Sequence, residues 1–323
     1  MRRCAWALLV AVPALAGVGV QFSAASFTAR STNPGSALSA KADWSPPAAG
    51  ASVIGKSTGG SAGYIKQGAT YYVYANVADS GNPAAGTASV TADVSSITTG
   101  QTAATLAAGS YTVDGATYNY RSAALTANAT LASGSYAYTL SLTDGAGNGA
   151  TRTGLAVTVD NTVPSATDVQ TVNATGGTAG KPELGDQLVL TYSEPMDPGS
   201  ILAGWSGAAT SVVVRITDGG TSGNDVLTVR NAANTAQLPL GSINLGRKDF
   251  VSATRDFGAT GTASQMTQSS AITLTMGTPS GTTGTAAGTG SLVWTPASGA
   301  ADRAGNPSST TAKTESGTAD IDF

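Results

Sequence analysis

The chain has 323 residues, 41 of them glycine, with 41% apolar residues, 11% charged residues and a net charge of −3. Charge this sparse, against roughly 25% in an ordinary soluble domain, with 16 basic residues facing 19 acidic ones and no block of either sign, excludes a basic nucleic-acid binder and a chain held unfolded by its own charge. Histidine is absent, which removes His-based triads, His metal sites and His acid–base catalysis together.

Residues 1–25 read as a secretory signal peptide. Met1-Arg2-Arg3-Cys4 supplies the basic start, Ala5 to Val20 the apolar centre, and Ser23-Ala24-Ala25 the small residues at a cleavage site. The apolar run, about 16 residues, falls short of the roughly 20 that span a bilayer. Cleavage near Ala25 removes Arg2, Arg3 and Cys4, leaving 14 basic against 19 acidic residues, a net of −5, and no cysteine. The expected destination is therefore outside the cell or on its surface, with no transmembrane segment after cleavage and with stability resting on burial instead of disulfides.

Residues 26–47 form an extended N-terminal segment. Phe27-Thr28-Ala29-Arg30-Ser31-Thr32-Asn33-Pro34-Gly35, on to Lys41-Ala42-Asp43-Trp44, resembles the mature N-terminus of exported bacterial surface and matrix proteins processed by the SipW type of signal peptidase. Ala29 stands where that family has an acid, and Asn33-Pro34-Gly35 where it has an Asn-Gly turn.

Past Pro46-Pro47 the chain becomes a series of short alternating runs broken by Gly, Asn and Asp. In a first domain, 48–160, Tyr71, Val73, Ala75 and Val77 share one strand face. Tyr136, Tyr138, Leu140 and Leu142 share another, and Leu155, Val157 and Val159 a third. Thr87–Val94 and Tyr111–Arg121 lie between them, with Asp114-Gly115 as a hairpin signal. A second domain, 161–323, carries strands at Gln187–Tyr192, Ser211–Thr217, Asp225–Arg230, Ala271–Met276 and Ser291–Thr295. No stretch sustains a helical period. The class is all-β, with two tandem β-sandwiches.

The junction Asp160-Asn161-Thr162-Val163-Pro164 resembles the seam between tandem bacterial Ig-like modules. Leu188-Val189-Leu190-Thr191-Tyr192-Ser193-Glu194-Pro195-Met196-Asp197 resembles a strand of the same repeats, found in surface-layer and adhesin proteins. Their closing Asp-x-Ala-Gly-Asn occurs at Asp144-Gly145-Ala146-Gly147-Asn148 and again at Asp302-Arg303-Ala304-Gly305-Asn306. The resemblance implies two Ig-like sandwiches and says little about activity.

Several motifs mimic chemistry. Gly50 to Ser57 satisfies a P-loop pattern, but Pro46-Pro47 precede it and Thr58-Gly59-Gly60-Ser61 follow, so the required strand–loop–helix is not expected. Gly59-Gly60-Ser61-Ala62-Gly63 matches a nucleophile elbow, with no histidine to serve as base and only Lys56 or Lys66 nearby. Glycoside hydrolysis would need two carboxyls across a cleft. The glutamates are Glu183, Glu194 and Glu315 alone, and most aspartates sit in turn contexts. Tyr72, Tyr74, Tyr118 and Tyr120 could stack on sugar rings or pack across a sheet. Asp144, Asn148, Asp160, Asn161, Asp302 and Asn306 have two readings. They are oxygen ligands suited to Ca2+, which takes about six to eight oxygens, or they are turn residues with Gly147 at positive φ. The eleven or so residues between Asn148 and Asp160 span roughly 35 Å when extended. The two ends then belong to separate sites, with Asp160 and Asn161 facing second-domain loops or Asp79 and Asp93.

The expected function is a non-catalytic, secreted or cell-surface structural or adhesion protein of the extracellular matrix, presenting Ig-like modules to itself, to other surface proteins or to glycans. Sparse charge leaves strand edges open to self-association. The alternatives are a carbohydrate-binding module and, more weakly, a carboxylate-dependent glycan hydrolase.

Overall fold

A computed structural model of the protein describes residues 43–323 except Asn82, Asp320 and Asp322. The expected signal peptide, 1–25, and the stretch 26–42 lie outside the described residues. The first sheet contains β1 (Ala48–Gly55), β2 (Tyr64–Ile65), β3 (Thr70–Ala78), β4 (Thr87–Asp93), β5 (Ala104–Val113), β6 (Ala116–Ser122), β7 (Leu125–Thr126), β8 (Gly134–Asp144) and β9 (Gly149–Val159). Their order is β1-β3-β6-β5-β4-β8-β9-β2, with β7 on β3, and every pairing is antiparallel except β2 with β9. Strand β5 starts beside β4 at Ala104–Thr105 and finishes beside β6, so it passes between the two faces of a sandwich.

Alternation places the core. Tyr71, Val73, Ala75 and Val77 are buried, as are Tyr138, Leu140, Leu142, Val157 and Val159. Each buried Val or Leu contributes about 1.5–3 kcal/mol relative to exposure. Asp114 and Gly115 adopt φ of 46° and 75°, the left-handed pair that a two-residue hairpin demands between β5 and β6.

The second sheet contains β10 (Ala166–Val172), β11 (Gln187–Tyr192), β12 (Thr210–Thr217), β13 (Val226–Asn231), β14 (Ser242–Asn244), β15 (Arg255–Phe257), β16 (Ser264–Gln268), β17 (Ile272–Thr275), β18 (Val293–Thr295) and β19 (Lys313–Thr314). A single helical turn, α1 (Pro198–Ile201), is capped by Asp197. The order is β10-β11-β17-β16-β12-β13-β14-β18-β19, with β15 also on β12. The two ends of this sheet meet: Ser316, just past β19, donates its backbone N–H to Asp168 on β10 at 2.8 Å. The enclosed core holds Leu188, Leu190, Phe250, Phe257 and Trp294. The Trp294 indole donates to the Leu240 carbonyl (2.7 Å) and meets Tyr192 edge-on at 4.8 Å.

The two halves repeat each other without a gap over their first strands. Asp43 and Asp160 correspond, as do Pro47 and Pro164, and Thr58-Gly59-Gly60-Ser61-Ala62-Gly63 answers Thr175-Gly176-Gly177-Thr178-Ala179-Gly180. The structure honours this register: β1 pairs antiparallel with β3, β10 with β11, and inward Tyr71, Val73 and Ala75 match Leu188, Leu190 and Tyr192. Among the described residues no helix is long and apolar enough to cross a membrane.

Candidate metal centres

Each Asp-x-Ala-Gly-Asn segment is a turn closed by its own side chains. Asn148 donates its backbone N–H to Asp144 Oδ1 and its Nδ2 to Oδ2, both at 2.7 Å. Asn306 makes the same pair to Asp302 at 2.7 and 2.8 Å. Gly147 and Gly305 take φ of 82° and 81°, where a Cβ would be strained. The asparagine then reaches beyond its turn. Asn148 Nδ2 donates to the Asp43 carbonyl (3.1 Å), and Asn306 Nδ2 to the Asp160 carbonyl (2.9 Å). In both halves the closing turn thus fixes the aspartate that precedes the first strand. A third acid arrives from the strand that follows: Asp79 from the end of β3, Glu194 from the end of β11.

Two acidic clusters result. Asp43, Asp79 and Asp144 bring carboxylate oxygens within 4.8 Å of one another, and so do Asp160, Glu194 and Asp302. Asp43, Asp144 and Asp302 are 1–2% exposed. Both oxygens of Asp79 and Oε1 of Glu194 are buried without a hydrogen-bond partner. Burial, reinforced by Asp160 and Asp302, pushes Glu194 up to about 7. Burial also acts on Asp144, but the Asn148 amides and the N–H groups of Ala146 and Gly147 outweigh it and hold that carboxyl low. Two carboxylates at such a separation repel by about 3 kcal/mol at an effective dielectric near 20. Each cluster therefore calls for a proton or a cation. An all-oxygen set lacking His and Cys selects a hard cation, with Ca2+ the best fit in charge and ligand type.

The surroundings of the clusters differ. The three ion pairs among the described residues, Lys181–Glu183, Arg215–Asp256 and Arg247–Asp249, all lie elsewhere. Lys56 and Lys66 nevertheless approach the second cluster, donating to the carbonyls of Ala304 (3.4 Å) and Gly305 (2.7 Å). Desolvation, then Lys66, lowers the Lys56 pKa, with Asp302 and Asp197 pulling the other way.

Of the residues singled out in the sequence, Asp144 and Asn148 join the first cluster, and Asp160, Asp302 and Asn306 the second. Asn161 joins neither. Its Oδ1 accepts from Gln67 N–H and its Nδ2 donates to the Leu131 carbonyl, both at 2.8 Å, so it ties down the end of the first sandwich. Asp144 and Asp160 stand apart at opposite ends of β9. Asp160 meets second-domain loops, whereas Asp79 serves Asp144, and Asp93 only caps an exposed turn at Ser95. Sequence reading missed Asp43 and Glu194 as cluster members and set Asp79 beside Asp160 instead of Asp144. The register that pairs Asp43 with Asp160 would have exposed the first. Glu194 continues the inward alternation of Leu188, Leu190 and Tyr192.

The other motifs have structural explanations. Gly50 to Gly55 lie within β1 and no helix follows, so the phosphate-binding context is missing. Gly60 and Ser61 sit in a bend against the second half of the chain, bonding Asp197 and Arg303. Tyr74 and Tyr118 are buried, with ring centroids 5.8 Å apart. Arg121 lies over the faces of Tyr72 (4.8 Å) and Tyr111 (4.4 Å), covering the surface that a sugar would stack on. The cleft beside Glu194, lined by Tyr192, Met196 and Gln268, has room for about one water, far from a glycan subsite. A broader polar cleft lined by Asp218, Lys248, Asp249 and Thr283 contains no aromatic side chain. No protein-family model matches the chain, and no curated protein matches it.

Proposed function

We propose that the chain is an exported, non-catalytic surface or matrix protein whose two Ig-like sandwiches are joined stiffly by a Ca2+-binding junction. The observation that carries this reading is the position of the second cluster. Asp160 belongs to the linker, Glu194 and Asp302 to the second sandwich, and Asn306 holds the linker carbonyl. A cation bound there would fasten the linker to the module that follows it. Direct bonds support the same seam: Gly60 N–H to Asp197 (2.9 Å), Ser61 N–H to the Arg303 carbonyl (2.8 Å) and Lys66 to Gly305. Such a joint transmits orientation from one module to the next, the requirement for presenting loops at a fixed distance from an envelope.

Small-angle scattering of the chain in excess Ca2+ and in chelator tests the joint. One extended particle in Ca2+ and a spread of inter-module angles in chelator are expected, with Asp160→Asn showing the spread in both. Identical scattering of the wild type in both conditions would refute a cation-stiffened junction. Fractionation of the producing cell tests export, for which retention of the whole chain in the cytoplasm is the contrary result.

A further inference from the structure

Beside the seam between the two sandwiches lies an open groove of about 300 Å3, at the small end of the roughly 300–1,000 Å3 of small-ligand sites. Both halves line it. The first supplies Tyr64, placed by the pairing of β2 with β9, and Ser61, fixed by its N–H bond to the Arg303 carbonyl (2.8 Å). The second supplies Ser206 from the loop after α1, Gln268 at the end of β16, Ser269 beyond it, and Arg303. Met196 and Pro198 give the groove its apolar part.

Arg303 carries the charge. It holds the second position of its Asp-x-Ala-Gly-Asn turn, where the other turn has Gly145, so the turn itself does not require this side chain. The guanidinium lies 5.6 Å from the Tyr64 ring centroid, and Nη1 donates to the Tyr64 hydroxyl at 3.4 Å. Unlike Arg215 and Arg247, it has no carboxylate partner among the described residues. The acids of the seam are spent elsewhere. Asp197, 7% exposed, accepts from the Gly60 and Gly199 N–H groups (2.9 and 3.1 Å). Asp302, 1% exposed, is closed on Asn306.

The rest of the polar lining is also unspent. The hydroxyls of Ser61, Ser206 and Ser269 make no hydrogen bond to the chain among the described residues. Gln268 is fixed by the bond from its Nε2 to the Met196 carbonyl (2.8 Å), and its Oε1 has no hydrogen-bond partner. An unpaired guanidinium offers a planar donor fork to a carboxylate or a phosphate. Serine hydroxyls, donors and acceptors at once, suit alcohol groups beside that charge.

We propose that the groove binds a polyhydroxylated anion, the chemistry of one acidic unit of a surface glycan. With lining from both halves, the occupant bridges them and adds to the stability of the junction. As a glycan the partner rests on the exported reading, whereas the site rests on the direct contacts of the seam and not on a bound cation.

The test is a heteronuclear NMR titration of the full chain, stripped of cations and again in excess Ca2+. The probes are D-glucuronate, glycerol phosphate, D-glucose and acetate. Saturable shifts of the Arg303 Nε–H and of the Ser61 and Ser269 amides are expected with the hydroxylated anions, and none with glucose or acetate. The tighter of the two anions assigns the charge to a carboxylate or a phosphate. Arg303→Ala should weaken binding about tenfold or more, as loss of a charge-assisted hydrogen bond does. Ser269→Asp, which sets a carboxylate in the second-half lining, should abolish binding at unchanged melting temperature. No saturable shift with either anion, an equal response to glucose or acetate, or binding that survives both substitutions would overturn the proposal. Binding that persists without Ca2+, in a chain whose melting ignores Ca2+, would leave the groove standing while the cation reading fell. Melting that rises with Ca2+ and no shift from either anion would do the reverse.

Discussion

The sharpest prediction concerns Asp160→Asn. The substitution keeps the size of the side chain, the Oδ1 that accepts from Thr162 N–H (3.0 Å) and the carbonyl that accepts from Asn306 (2.9 Å), and deletes one charge. Without a cation, Asp160 repels Glu194 and Asp302, whose carboxylates lie within 4.8 Å, by about 3 kcal/mol each before solvent relaxation. The variant should therefore melt as high as the wild type in chelator, or a few degrees higher. With Ca2+ at about 100 times its dissociation constant the wild type gains about 2.7 kcal/mol. For a module of this size, that corresponds to a rise of roughly 5–11 °C. The variant should lose most of that gain, so the order of stability reverses between the two conditions. Calorimetry at pH 8, in excess Ca2+ and in chelator, measures both arms. A variant less stable than the wild type by the same amount in both conditions would show that Asp160 is a turn former only, and the cation reading would fail.

Four further outcomes are expected. Gly60→Ala, at φ +81° and with its Cβ 2.7 Å from the Arg303 carbonyl, should cost about 1–3 kcal/mol of junction stability; the calorimetric trace should split toward two transitions, and an unchanged single transition would show that the loop carries no coupling. Asp249 is held at about 2, chiefly by Arg247, below its unfolded value; its stabilisation is therefore complete above about pH 4 and lost as pH falls toward 2. With its side chain 30% exposed the contribution discounts to about 1 kcal/mol, and Arg247→Ala should flatten that part of the pH–stability profile. Leu190→Ala, in the second core at 0% exposure, should cost about 2–5 kcal/mol in denaturant unfolding. N-terminal sequencing of exported material should begin close to Ser26, whereas a membrane-bound chain that keeps Met1 to Val20 would make the apolar run an anchor.

Strand identity was legible wherever alternation ran for five residues or more. Gln187–Tyr192 is β11 as expected, and Thr70–Val77, Thr87–Val94 and Gly134–Thr143 match β3, β4 and β8 to within a residue or two. The losses have physical causes. Strands β14, β15 and β19 have two or three residues, too few for any period to register. The first half of β5 is rich in Ala, Gly and Thr, and reveals its inward face only through Ala104 and Leu106. The P-loop look-alike concealed β1, because Gly50 and Gly55 interrupt the alternation that would announce a strand. For the site, the two Asp-x-Ala-Gly-Asn turns were visible because their ligands are local. Asp43 and Glu194 were not, since Asp43 joins its cluster from outside any strand and Glu194 reads only as part of a strand-end motif, while Asp79 was legible as a partner but belongs to Asp144 instead of Asp160. Asn161 misled because adjacency to Asp160 in sequence puts its side chain on the other side of the strand end.

The repeat also explains why one device serves two purposes. A turn that closes a sandwich must leave backbone carbonyls pointing outward, and Asp-x-Ala-Gly-Asn satisfies its own N–H groups internally. What remains outside is a ring of acceptors over a buried negative cluster. In the second half, two lysines and the Ser61 N–H from the first half meet those carbonyls, with the Gly60 N–H on the Asp197 carboxylate beside them, so the electrostatic demand of the turn holds the two halves against each other. In the first half, the same acidic arrangement has no ammonium donor bonded to its turn among the described residues, and both Asp79 oxygens are buried without a hydrogen bond. The closing turn of the second half is therefore also the surface on which a loop and two lysines of the first half are seated.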